Sequence, residues 1–242
     1  MILPSPLVPG ILLRRYKRFL ADVQLESGQT VTAHCPNTGS MLGVAEPGCR
    51  VWLTHQPSES RKYAHGWELT ELASGVLVGI NTHRSNALVR EAIEHRHLPS
   101  LGSYTSIVPE CRYGSENSRV DFLLQANGLP DCYVEVKNVT AAVNGGVAVF
   151  PDAVSVRATK HLRELADMVR QGHRAALVYC VQRQDVEEVR PADAIDPAYA
   201  AGVREAMAAG VEFLALAATV TTDSIVLHRE IQFLTTPAVK PE

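Results

Sequence analysis

No stretch of this sequence is long and apolar enough to span a bilayer. The longest apolar runs, such as Phe213 to Val220, fall well short of the roughly 20 residues that a membrane helix requires. The opening residues are apolar too, but Pro4, Pro6 and Pro9 interrupt them, and the basic start and small-residue cleavage site of a signal peptide are missing. A cytoplasmic protein with no membrane partner is the expectation. Paired Cys-x-x-Cys spacings are also absent. The five cysteines, Cys35, Cys49, Cys111, Cys132 and Cys180, are scattered, which argues for reduced structural thiols rather than zinc ligands. His95 and His97 have no second ligand pair nearby and read as helix-end or loop residues. Excess positive charge is lacking as well. With 23 Lys and Arg against 26 Asp and Glu, a net charge of -3, the global balance counts against nucleic acid, because counterion release by basic residues supplies most non-specific affinity. Only a local basic stripe can serve that purpose. Gly145-Gly146 is not followed by Gly-Lys-Ser/Thr, so an NTP-binding loop is excluded.

What is present is an ordinary globular composition, 46% hydrophobic and 20% charged over 242 residues, enough for one large core or two modest ones. Residues 1–82 read as short strands at Ile11 to Leu25, Thr30 to Cys35, Arg50 to His55, Trp67 to Leu72 and Val76 to Ile80, separated by turn signals such as Ser27-Gly28 and Pro47-Gly48. That pattern predicts a small five-stranded barrel of the OB type, with an SH3-like barrel as the alternative. From Ser85, a plausible N-cap, the apolar period becomes helical to about His95. Strands then follow at Tyr104 to Tyr113, Arg119 to Gln125 and Cys132 to Asn138, a helix at Val154 to Gln171 and a buried strand at Ala175 to Gln182. A helix from Pro197 to Ala209 and strands at Phe213 to Val220 and Ile225 to Leu234 complete the chain. The order predicts a second, α/β domain over residues 83–242, a mixed sheet flanked by helices.

Chemistry concentrates in two of these strands. Alternation places Glu135 and Lys137 on one strand face, opposite Val134 and Val136, and sets Asp121 opposite Val120 and Phe122. Each strand is expected to bury one face and present charge on the other. A hairpin turning at Asn127-Gly128-Leu129-Pro130 brings Asp121 across from Glu135. Two carboxylates so close repel unless a lysine and a divalent cation offset them. Oxygen donors without His or Cys point to Mg2+ or Mn2+, and such a group suits phosphodiester hydrolysis. The competing interpretation of Glu135 and Lys137 is a surface ion pair on an edge strand.

In the first half, Arg14, Arg15, Tyr16, Lys17 and Arg18 lie in the first predicted strand and suit a basic groove with an aromatic platform; the alternative is a solvated strand. Asn37 and Thr38, before Gly39, offer backbone amides for phosphate or form a simple turn. Secondary candidates are Glu110, a possible second carboxylate beside Asp121; Lys160 and His161, on a helix near the site or merely on its surface; and Gln182, at the end of an apolar strand where α/β ligands gather or as a cap of the sheet edge.

Several separated blocks resemble the sugar fermentation stimulation family. They are His34-Cys35-Pro36-Asn37-Thr38-Gly39-Ser40-Met41, Glu91-Ala92-Ile93, Glu110 through Tyr113-Gly114, Ser118 through Leu124, Glu135-Val136-Lys137-Asn138-Val139-Thr140 and Lys160-His161-Leu162-Arg163-Glu164-Leu165. The resemblance implies a DNA-binding protein, bound without sequence preference and linked to maltose metabolism, whose second half is a PD-(D/E)xK nuclease-like domain. RNA as a partner and a homo-oligomer stay open. It further implies Asp121 and Glu135 as metal ligands, Lys137 as the catalytic lysine and Glu91 as the helix carboxylate that assists them. Val120 stands where the superfamily name has proline. A non-catalytic DNA-binding regulator that keeps the nuclease fold is the rival expectation.

Overall fold

Alternating apolar residues roll the first half of the chain into a closed barrel. The computed structural model describes residues 1–57, 62–114, 118–143 and 146–237. Its first strands are β1 (Val8–Tyr16), β2 (Leu20–Leu25), β3 (Thr30–His34), β4 (Arg50–His55), β5 (His65–Glu71) and β6 (Leu77–Gly79). Antiparallel pairs join β1 to β2 and β4, β2 to β3, and β4 to β5. A short parallel contact, Ala33 opposite His65 and His34 opposite Gly66, closes the circle. This is the OB arrangement, while β6 extends β5 outside the closed circuit. Leu12, Val23, Val51, Leu53 and Trp67 fill the interior, because every second strand residue points inward.

One expectation fails here. Ile11 to Leu25 is not a single strand but a hairpin, turned by Lys17 and Arg18, whose φ values of 50° and 66° are left-handed. The basic run therefore does not line one strand: it covers the end of β1 and the turn.

The second half consists of α1 (Ser85–Glu94), β7 (Ser106–Tyr113), β8 (Ser118–Gln125), β9 (Cys132–Val139), β10 (Ala142–Val143), β11 (Val147–Phe150), α2 (Val156–Arg170), β12 (Arg174–Val181), β13 (Glu188–Pro191), α3 (Pro197–Ala208), β14 (Glu212–Val220) and β15 (Ile225–Phe233). They form a mixed sheet of order β10-β11-β13-β15-β14-β12-β9-β8-β7. The helix α1 covers one face, where Leu88, Val89 and Ile93 meet Phe122, Val134 and Val178; α2 and α3 cover the other, where Leu162, Leu165 and Val203 meet Leu177 and Tyr179. Leu3, Leu7 and Leu69 join the α1-side core, so the barrel and the sheet share apolar surface. Asp196 fixes both helices of the second face: it caps α3 through the Tyr199 N–H at 2.9 Å and accepts from the Ser155 N–H, at the start of α2, at 2.8 Å.

Ser85 does not cap α1. It is the first helical residue, and its hydroxyl donates to Asn138 Oδ1 at 2.9 Å. Among the described residues no helix is long and apolar enough to cross a membrane. All five cysteines are free, and burial pushes the thiols of Cys132 and Cys180 up to about 12. Gly145 lies outside the described residues.

Candidate active site

Between β8 and β9, Phe122 faces Val134 and Leu124 faces Cys132, with Gly128 in a left-handed turn at the hairpin tip. Beyond Phe122 the main-chain ladder stops, and the Asp121 carboxylate takes its place. Oδ2 accepts the Val136 N–H at 2.7 Å, and Oδ1 accepts from Asn86 Nδ2 on α1 at 2.7 Å. The strand also changes its allegiance there: Phe122 and Leu124 pack in the α1-side core, whereas Val120 packs in the α2-side core. On the neighbouring β7, Glu110 adopts φ 55°, and Ile107 and Cys111 divide between the same two cores. The sheet thus kinks at the level of Asp121.

The β9 strand lies between β8 and β12 and is buried on both faces, so neither a solvent face of charge nor an edge-strand ion pair describes it. Glu135 is 4% exposed. Its Oε1 accepts from Lys137 Nζ at 2.7 Å and is bonded to His161 Nδ1. Arg157 Nε donates to the other ring nitrogen, His161 Nε2, at 3.4 Å. Because a guanidinium can only donate and a carboxylate only accept, these partners fit the neutral imidazole with its proton on Nδ1. Both His161 and Glu164 sit on the buried stripe of α2, where uncompensated polar groups are costly. His161 is therefore a core residue of the site and not a helix-surface residue.

The two carboxylates are pushed in opposite directions. Burial, then the charge of Glu135, raises the Asp121 pKa above the usual carboxylate value. Burial acts the same way on Glu135, but the His161 hydrogen bond and the Lys137 ammonium outweigh it and hold that carboxyl below its usual value. Among the described residues, Glu135 Oε2 is nevertheless buried without a hydrogen-bond partner, and so is the hydroxyl of nearby Tyr113. Burial, then Glu135, Glu164 and Asp121, raises the Tyr113 phenol. An orphaned buried carboxylate oxygen beside a second carboxylate, with oxygen donors throughout, fits a hard divalent cation. Among the described residues no group of three or more His, Cys, Asp or Glu is set to hold a metal, so Asp121 and Glu135 are the pair available.

Lys137 opens into a cleft of ≈ 420 Å³ between the two halves of the chain, where Asn37, Thr38 and Gly39 of the barrel face Lys137, Thr140 and Arg157. The structure thus brings two sets of sequence candidates together, Lys137 with Asn37 and Thr38. The Asn37 turn is built from within: Asn37 Oδ1 accepts the Gly39 N–H at 2.9 Å. Arg15 donates to the carbonyls of Asn37 and Gly39 at 3.0 and 2.8 Å, and Arg18 to that of Thr38 at 2.8 Å. Arg14 instead pairs with Asp22 at 2.8 Å, and the Tyr16 hydroxyl hydrogen-bonds the same carboxylate. Of the basic run, Arg15 and Arg18 hold the cleft loop, and Lys17 projects from the turn, exposed.

Four candidates stand elsewhere. Glu91 does not approach Asp121, because it lies on another side of α1 and accepts from the Met1 amino group at 2.7 Å; Asn86 occupies the helix position next to the aspartate. Gln182 binds Asn138 Oδ1 at 2.5 Å and the Asn81 carbonyl at 3.3 Å, tying the sheet to the barrel rather than joining the carboxylates. Glu110 is exposed at the kink, and Lys160 is half-buried on α2. Sequence reasoning missed Asn86, Tyr113, Arg157 and Glu164. For Glu164 a signal existed: a carboxylate one turn from His161 on the apolar stripe of α2.

The family described as "SfsA N-terminal OB domain" matches residues 13–80, and "Sugar fermentation stimulation protein RE domain" matches residues 83–224. A sugar fermentation stimulation protein homolog of Thioalkalivibrio sulfidiphilus is 60% identical, over 92% of this chain and 93% of that protein. A homolog from Alkalilimnicola ehrlichii is 55% identical, over 96% of this chain and 98% of its own length. Among solved structures, Pyrococcus furiosus SfsA in complex with Ca2+ superposes with a TM-score of 0.85 at 30% identity, covering 97% of this chain and 98% of that one.

Proposed function

Since the chain belongs to the sugar fermentation stimulation protein family, we propose that it is a DNA-binding protein with a divalent-metal-dependent phosphodiesterase site at Asp121, Glu135 and Lys137. The observation that carries this is Glu135 Oε2, buried without a partner beside a second carboxylate and a lysine. Leaving such an atom unpaired costs about 1–3 kcal/mol, and more for a charged group, which a bound cation recovers. Asp121 and Glu135 would hold Mg2+ or Mn2+, and the Ca2+ in the P. furiosus relative favours a divalent ion here too. When bound, the ion supplies a polarised phosphoryl oxygen and a more acidic water.

The chain's own residues do the rest. Asn86 and the Val136 N–H orient Asp121, while His161, backed by Arg157, orients Glu135. Lys137, which opens into the cleft, meets the phosphate charge as it develops. The Asn37-Thr38-Gly39 loop, held by Arg15 and Arg18, receives the strand from the barrel side.

A non-catalytic DNA-binding regulator is the second reading. It is favoured by the pairing of Glu91 with the Met1 amino group, which leaves Asp121 and Glu135 without a carboxylate from α1. Incubating the protein with plasmid, single-stranded DNA and RNA, in Mn2+ or chelator, separates the two. The phosphodiesterase reading expects cutting only with metal, reduced on the order of 100-fold in Asp121→Ala and Lys137→Ala. Variants that cut like the parent move the site elsewhere. Salt-sensitive binding without cutting selects the regulator.

A further inference from the structure

A second cavity, of ≈ 480 Å³, lies next to the Lys137 cleft. His34, Gln56, Lys62, Tyr63, His65 and His83 contribute to its lining. Its size suits a bound small molecule. Where the two linings meet, the Thr82 hydroxyl donates to the Pro36 carbonyl at 2.9 Å. Pro36, Asn81 and His83 face this cavity, and their chain neighbours Asn37 and Thr82 face the cleft.

The lining specifies a ligand. Its one carboxylate, Glu68, is consumed: Arg84 holds both oxygens, at 2.7 and 2.9 Å, and Asn81 adds two further bonds. That leaves the Lys62 ammonium, 5.6 Å from the centre of the Tyr63 ring, and three imidazoles. Among the described residues, five rings with Trp67 included, the Lys62 cation and no uncommitted carboxylate suit a planar base that carries an anion.

We propose that this cavity is a second subsite, which takes a nucleotide unit of the strand lying in the Lys137 cleft, with His34, His83 and Lys62 on its phosphate and Tyr63 beside its base. The proposal rests on the cleft being a nucleic-acid site, but it is tested without cleavage. In the free protein, burial and then neighbouring histidines hold two rings below the usual histidine value: His83 acts on His34, and His55, stacked at 4.6 Å, acts on His65. Among the described residues, the other charges facing the rings are Lys62 and the neutralised Glu68–Arg84 pair. An anion placed among the rings favours the charged forms of His34 and His65, so binding takes up protons and tightens as pH falls toward the depressed values of the free rings.

The experiment follows the histidine ring signals by NMR in chelator, while thymidine 5′-monophosphate, thymidine or inorganic phosphate is added to the parent, to Lys137→Ala and to a His34→Gln/His83→Gln double variant. Expected are shifts of His34, His65 and His83 with the nucleotide, tighter at low pH, retained in Lys137→Ala and about tenfold weaker in the double variant. Thymidine and phosphate alone should bind more weakly than the nucleotide. The proposal falls if these rings stay still, if phosphate alone matches the nucleotide, or if Lys137→Ala abolishes the shifts. Loss of cutting in Lys137→Ala together with still rings would sink this subsite and leave the phosphodiesterase reading standing.

Discussion

Glu135 holds the site together, and its removal separates structural from chemical roles. Its Oε1 serves both Lys137 and His161, whose side chains are 13% and 4% exposed. Glu135→Ala leaves the half-buried Lys137 ammonium without its counterion and the buried His161 without its acceptor, a loss of about 1–3 kcal/mol. Glu135→Gln keeps a carbonyl acceptor and should lose clearly less; urea unfolding at neutral pH measures both. The pH dependence has two signs. Glu135, with its folded pKa depressed, gives stability that is present above the ordinary carboxylate value and lost as pH falls through the folded one. Asp121, with its pKa raised, works the other way, so stability declines as pH climbs from the ordinary value through the raised one. Asp121→Asn removes that second component, and a flip of the Asn86 amide restores both hydrogen bonds. Its melting temperature above neutral pH should equal or exceed the parent's while metal-dependent cutting disappears. A lower melting temperature would mean that the carboxylate charge stabilises the native fold.

At the level of elements, the cleft depends on how closely one loop approaches the second half of the chain. A side chain at Gly39 would begin 2.7 and 2.9 Å from the Asp152 carboxylate oxygens, and the same carboxylate accepts the Met41 N–H at 2.9 Å. Gly39→Ala must therefore part the loop from the Asp152 carboxylate by moving one or the other, and either shift breaks the Met41 bond that seats the loop. The expected result is weaker DNA binding with secondary structure unchanged; parental affinity would remove the loop from the interface. Little of this is legible in sequence. The barrel strands and α1 to α3 were, because each carries enough alternating or helical apolar positions to declare its period. The β1–β2 turn was not, since Lys17 and Arg18 are unusual left-handed residues and carry no Gly or Asn signal. Short β10, β11 and β13 offer too few positions to alternate. The meeting of Asp121 with the Glu135–Lys137 strand was readable from strand parity, whereas the direction of Glu91 was not, because it depends on the whole packing of α1. Arg15 and Arg18 misled in another way: their guanidinium groups satisfy carbonyls of a loop more than a dozen residues away.

Across the whole molecule, the question is whether the two halves behave as one cooperative unit. Leu3, Leu7 and Leu69 are buried in the same core as Leu88, Val134 and Leu216, and the Gly79 N–H donates to the Gln182 carbonyl at 2.8 Å. Separating the halves would expose that apolar surface at about 25 cal/mol per Å² and break main-chain bonds between barrel and sheet. The molecule carries its own reporters for this. Both tryptophans, Trp52 and Trp67, lie in the barrel strands, while α1, α2 and α3 all belong to the second half. Tryptophan fluorescence therefore follows the barrel, and the helical circular dichroism follows the sheet domain. The shared core requires the two signals to give one midpoint in urea, as two-state unfolding demands. Two midpoints would mean that each half is stable alone. The cleft between Asn37 and Lys137 would then be a hinge between separate bodies, and a strand held across it would have to fix their relative position at its own expense.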